Sequence, residues 1–126
     1  MMDFDMANDA LDLLVADLPQ QILQGLGGGI ILSGNEKMHP KNINRDLYIM
    51  GEYHNEPRGL GRYIVLYYGS MTKVFGNLPD VIFIEKMKKV LHHELTHHLE
   101  NRAGDYSLEI EDAEEIASYM KRNKKD

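Results

Sequence analysis

Apolar residues at Phe4, Ala7, Leu11, Leu14, Val15 and Leu18 recur at helical intervals, with Asp5, Asp9, Asp12 and Asp17 on the opposite side. That pattern predicts an amphipathic helix from Asp3 to Leu18. Pro19 interrupts it and suits the start of a short second helix, Gln20 to Leu26, which stops among Gly25, Gly27, Gly28 and Gly29. A phosphate-binding loop needs a strand before its glycines and a helix after them. Here a helix precedes and the strand-like run Ile30-Ile31-Leu32 follows, so the glycines read as a helix-to-strand turn.

Residues Ser33 to Asp46 are polar, contain Pro40 and form a connection. The runs Leu47 to Tyr53 and Arg62 to Tyr68 are rich in β-branched and aromatic residues, and Pro57, Gly59 and Gly61 separate them. They predict an antiparallel hairpin with a long loop; Ile30 to Leu32 brings the sheet to about three strands, and Met71 to Phe75 is a candidate extension. Asn77, Pro79 and Asp80 then open a long helix with its buried stripe at Ile84, Met87, Leu91, Leu95 and Leu99 and its C-cap at Gly104. Ser107 can cap a last helix carrying Ile110, Ala113, Ile116, Ala117 and Met120. The predicted order is α-α-β-β-β-α-α, an α+β domain with a small, mainly antiparallel sheet packed on a long helix.

Composition narrows what such a domain can do. The 126 residues fit one domain, 1–126, with no repeat or linker. There is no cysteine, which removes disulfides and thiol nucleophiles and leaves His, Asp and Glu as metal ligands. An acidic start, Met1-Met2-Asp3-Phe4-Asp5, and the lack of a membrane-length apolar run predict a cytoplasmic protein without a membrane partner. A net charge of −6 argues against nucleic acid; the one dense basic run, Lys121 to Lys125, suits a solvated helix end.

The candidate chemistry lies within the long helix, at His92-His93-Glu94-Leu95-Thr96-His97-His98. His93 and His97, four residues apart, leave one helix face a turn apart and can share a zinc ion, while Glu94 stands beside them. A carboxylate so placed can take a proton from a water whose pKa the metal lowers to about 7, the arrangement of H-E-x-x-H metalloproteases. Both histidines lie off the buried stripe, at the edge of a cleft. His92 and His98 point elsewhere, towards supporting or surface roles, and the isolated His39 and His54 receive no role. The tyrosines at 53, 63, 67 and 68 read as packing residues.

The H-E-x-x-H-H core, together with the strand-loop-strand of Asp46 to Tyr53 and Gly61 to Tyr68 ahead of it, resembles the small zincin-like bacterial metallopeptidases, minimal single-domain zincins with an active-site helix on a sheet. The resemblance covers most of the chain and implies a zincin fold, one zinc ion and activity on a peptide or protein substrate. It also exposes a departure. Members with H-E-x-x-H-x-x-G-x-x-D place glycine and aspartate where this chain has Glu100 and Ala103; its own glycine and acid come later, as Gly104 and Asp105. A catalytic zinc takes three protein ligands and keeps one position for water. Asp105, which a glycine-terminated helix can turn back towards the metal, is the first candidate for the third; Glu109, on the following helix, and Glu100 are the alternatives.

The expected function is therefore zinc-dependent peptide hydrolysis, with His93, His97 and Asp105 on the metal and Glu94 as general base. An extended substrate is expected to pair with an edge strand, for which Arg62 to Tyr68 is the candidate. Two rivals stand beside it: a non-catalytic metal-binding or protein-interaction domain with a vestigial motif, and a zinc hydrolase of a non-peptide amide. Oligomeric state is not legible in the sequence.

Overall fold

The computed structural model describes residues 2–39 and 47–104. Seven elements follow in order: α1 (Phe4–Ala16), α2 (Gln20–Leu23), β1 (Gly29–Ser33), β2 (Gly51–Glu56), β3 (Gly61–Tyr67), α3 (Tyr68–Phe75) and α4 (Asp80–Gly104). Helix α1 begins where Asp3 caps it, its Oδ1 accepting from the Met6 N–H at 2.8 Å. Ala7 and Leu11 form its buried stripe. The glycine segment does turn the chain from helix to strand, with Gly25 and Gly29 at positive φ, a backbone region that costs glycine little.

The sheet has the order β1-β3-β2. β1 runs parallel to β3, with Ile30 opposite Ile64 and Leu32 opposite Leu66. β2 runs antiparallel, with Tyr53 opposite Ile64 and Gly51 opposite Leu66. Alternation does the rest: Leu32, Ile64 and Leu66 are buried on one face against Phe83, Met87, Leu91 and Leu95 of α4, Leu11 of α1, Ile22 of α2 and Met71 of α3. The registers put Glu52, His54, Tyr63 and Tyr67 on the other face.

Several expectations need correction. The sheet is mixed rather than mainly antiparallel, because β1 joins β3 in parallel. The run Arg62 to Tyr68, expected at the edge, lies in the central strand β3 up to Tyr67; the unbroken run Tyr63-Ile64-Val65-Leu66-Tyr67 suits a strand with neighbours on both sides. The edge beside α4 is β2. That strand starts later than expected, since Leu47 to Ile49 pair instead with residues 37–39: the His39 N–H donates to the Leu47 carbonyl and the Ile49 N–H to the Lys37 carbonyl, both at 2.8 Å. The hairpin loop is short, with Glu56 still opposite Gly61.

Met71 to Phe75 do not extend the sheet. They belong to α3, an additional helix that changes the expected order, with Met71 and Phe75 four residues apart on its buried face. The turn into it is set by Gly69, where a Cβ would come within 2.6 Å of the Asn35 backbone carbonyl carbon. The expected last helix with Glu109, and Asp105 ahead of it, lie outside the described residues. No described helix is long and apolar enough to cross a membrane.

Candidate metal centre

Helix α4 carries the motif and is fixed from both sides. Asp80 complements the positive end of its dipole, and the Pro79 carbonyl accepts its first backbone bond, from the Phe83 N–H at 2.9 Å. Phe83, Met87, Leu91 and Leu95 are buried against the sheet. The same stripe continues through Glu94, His98 and Arg102, which are buried too, whereas Ile84 and Leu99 are only partly covered. The apolar members are only part of the buried face. The series 91, 94, 95, 98, 102 carries the helical period straight through the polar ones.

Gly51 brings helix and edge strand together. A Cβ there would meet Leu66 Cδ2 and Val90 Cγ1, each at 2.9 Å, and the Glu94 Cγ at 3.3 Å. With no side chain at Gly51, the strand passes over the Glu94 stem. An open cleft of about 720 Å3 results, lined by Glu52, Tyr53 and His54 of β2 and by His93, Glu94 and His97 of α4. Glu100 and Asn101 line its end towards the C-terminus of the helix.

Within the cleft, His93 and His97 are exposed and their Nε2 atoms lie 3.2 Å apart, with the rings edge to face. Two nitrogens bound tetrahedrally at ~2.0–2.1 Å from one zinc ion would be separated by ~3.3 Å. The pair therefore fits a shared metal by donor type and spacing. Glu94 is 6% exposed. Burial pushes its carboxyl up from the ordinary range, His93 and His97 oppose that, and Glu52 adds to it.

Glu100 does not join the pair on that side. Its Oε1 stands 3.7 Å from His97 Nδ1, the nitrogen across the ring from Nε2, and its side chain is 70% exposed. Among the described residues no third His, Asp or Glu completes a metal-ligand cluster with His93 and His97. Asp105 and Glu109 lie outside them.

His98 faces away from the cleft and is fully buried. Its Nε2 lies 2.8 Å from the Gln24 carbonyl oxygen, which can only accept, so Nε2 bears the proton. Nδ1 is then an acceptor, and the Tyr53 hydroxyl donates to it at 3.0 Å. Burial, with the nearby Arg102 and Arg62 charges, lowers the His98 pKa in spite of the bond to Gln24, which keeps the ring in this neutral form. Arg102, also buried, donates to the Gln21 carbonyl at 2.8 Å. Both side chains thus satisfy carbonyls around the end of α2 and tie it to α4.

Sequence reasoning gave His54 no role. Strand β2 carries it into the cleft, two residues from Glu52 and hence on the same face of the strand. That alternation was the available signal, but the strand bounds had to be known to use it.

No protein-family model matches the chain, and no curated protein matches it. Its fold is shared with the solved structure of a conserved hypothetical protein of T. thermophilus, at a TM-score of 0.71 and 29% identity, over 82% of this chain and 99% of the other. The described residues define an α+β domain with a three-stranded mixed sheet and a histidine pair at its edge.

Proposed function

We propose that this chain is a zinc-dependent metallopeptidase of the minimal zincin-like kind, in which His93, His97 and Asp105 hold one zinc ion and Glu94 is the general base. The observation that carries the reading is the pair of Nε2 atoms 3.2 Å apart in an open cleft, with a buried carboxylate one residue from the first of them. Zinc held there would polarise a peptide carbonyl and lower the pKa of a water to about 7. Glu94 accepts that water's proton as its oxygen bonds to the carbonyl carbon, then delivers the proton to the amine nitrogen as the C–N bond breaks.

The substrate is an extended peptide lying along β2, the sheet edge over the cleft, where strand pairing aligns a backbone carbonyl with the site. Glu109 is the alternative third ligand. A cytoplasmic location belongs to the same reading.

The test combines metal content and turnover. The parent should hold one zinc per chain and cleave members of a broad peptide library; Glu94→Gln should keep the zinc and lose cleavage by ~10²-fold or more. Asp105→Ala should lose the zinc while Glu109→Ala keeps it, and the reverse result moves the third ligand to Glu109. A parent that binds no zinc on titration refutes the proposal in favour of a protein-interaction domain. Zinc binding with cleavage of small non-peptide amides alone would move the substrate class.

A further inference from the structure

On the reading of the cleft as a peptidase site, one requirement is unmet by the motif: a donor for the negative charge that develops on the carbonyl oxygen. Tyr53 lines the cleft, but its single hydroxyl proton goes to His98 Nδ1, which the Gln24 bond has made an acceptor. Glu52, Glu94 and Glu100 are acceptors when ionised. Asn101 offers a neutral amide N–H at the far end of the cleft, and His54 is the cleft side chain outside the metal pair that offers a ring N–H.

We infer that His54, held by Glu52 and Tyr63, is the residue that stabilises the oxyanion during peptide hydrolysis at this site. Its ring is constrained from two sides. It stacks on Tyr63 with centroids 4.8 Å apart and planes 18° from parallel, and Tyr63 is itself tied by its hydroxyl to Glu56 at 2.6 Å. His54 Nε2 also lies 3.3 Å from Glu52 Oε1. An ionised carboxylate only accepts, so Nε2 is the donor in that bond. Nδ1 makes no hydrogen bond among the described residues.

Glu52 is anchored in turn. The Lys37 ammonium grips both its oxygens, at 2.7 and 2.8 Å, and the Tyr67 hydroxyl donates to Oε1 at 2.6 Å. Lys37 is pinned through its backbone, its N–H donating to the buried Ser70 Oγ at 2.8 Å. The array is therefore built before substrate arrives, which is what an oxyanion site requires. The role uses the doubly protonated ring, whose Nε2–H stays on Glu52 while Nδ1–H meets the oxyanion, and Lys37 pairs with the same carboxylate. As the water oxygen bonds to the carbonyl carbon, the C=O π pair moves onto oxygen, and His54 Nδ1–H donates to it without giving up its proton.

His54→Phe tests this, since it keeps the stack on Tyr63 and removes the donors. The probes are a pool of phosphinic pseudopeptides with randomised flanking residues, whose tetrahedral anion mimics the intermediate, and a pool of peptide amides of matching length, both titrated into zinc-loaded protein. The variant should keep its zinc, bind the phosphinates ~10²-fold more weakly, lose a similar factor in kcat/KM mostly through kcat, and bind the amides within about threefold of the parent. Equal weakening towards both pools, or none, overturns the role of His54 while leaving the peptidase reading intact. A zinc-loaded parent that neither cleaves peptides nor binds phosphinates overturns both.

Discussion

The histidines at 97 and 98 are adjacent in sequence, yet replacing each by alanine should have opposite consequences. His98 is fully buried, donates to the Gln24 carbonyl at 2.8 Å, accepts from Tyr53 at 3.0 Å and packs with its ring centroid 5.4 Å from that of Tyr53. The two hydrogen bonds contribute about 1 kcal/mol each, the lower part of their range, because Gln24 is exposed and Tyr53 keeps a 3.4 Å contact to Asn101 Oδ1. The cavity left by the ring adds about 2 kcal/mol. His98→Ala should therefore cost about 4 kcal/mol, which for a domain of this size lowers Tm by about 15 °C. His97 has a side chain 50% exposed and should change the stability of the metal-free protein by less than about 0.5 kcal/mol. Metal content should divide the other way, with zinc kept by folded His98→Ala and lost by His97→Ala. Thermal unfolding in chelator, which removes the contribution of bound metal, and zinc analysis below the variant's Tm measure the two effects separately. A His98→Ala protein that melts with the parent in chelator, or that is folded yet fails to hold the zinc the parent holds, refutes the assignment of His98 as a tie between α4 and α2.

Glu52 gives a pH-dependent prediction. Burial acts to raise its carboxyl pKa, but the bonds from Lys37 and Tyr67, the Lys37 charge and His54 outweigh it and lower the pKa below 4.5. A depressed carboxylate contributes stability above its unfolded value and loses it as pH falls through the folded one, so Glu52→Gln should cost about 1 kcal/mol at pH 7 and progressively less below about pH 4.5. Urea midpoints at pH 7 and about pH 3 check this; a gap that widens in acid contradicts the sign. At Gly51, valine would drive its Cβ against Leu66 and Val90, costing about 1–3 kcal/mol, and would displace Glu94 enough to reduce turnover. A Gly51→Val protein as stable and active as the parent would show that the helix does not need that close approach.

Much of this architecture could be read from periodicity. The helical spacing in residues 3–18 and 80–104, the β-branched runs and the glycine turn are local signals, and local sterics and burial make them legible. The four-residue spacing of His93 and His97 was equally local, since a helix alone sets it. Strand order was not. Whether 61–67 is an edge or a centre depends on which partners lie on each side, and the parallel pairing with β1 brings together residues more than thirty positions apart. Met71 to Phe75 could pass for a strand until the Gly69 contact with residue 35 turned the chain into a helix.

The sequence by itself thus determined most of the elements and the face of the long helix that carries His93 and His97, because both follow from short-range geometry. Tertiary structure alone decided the partners of that face. It set β2 over the motif through the side-chain-free Gly51, turned His98 inward to the Gln24 carbonyl, and delivered His54 with its Glu52–Lys37 support to the cleft. Each of those contacts joins distant positions, and no pattern along the chain encodes a distance between them.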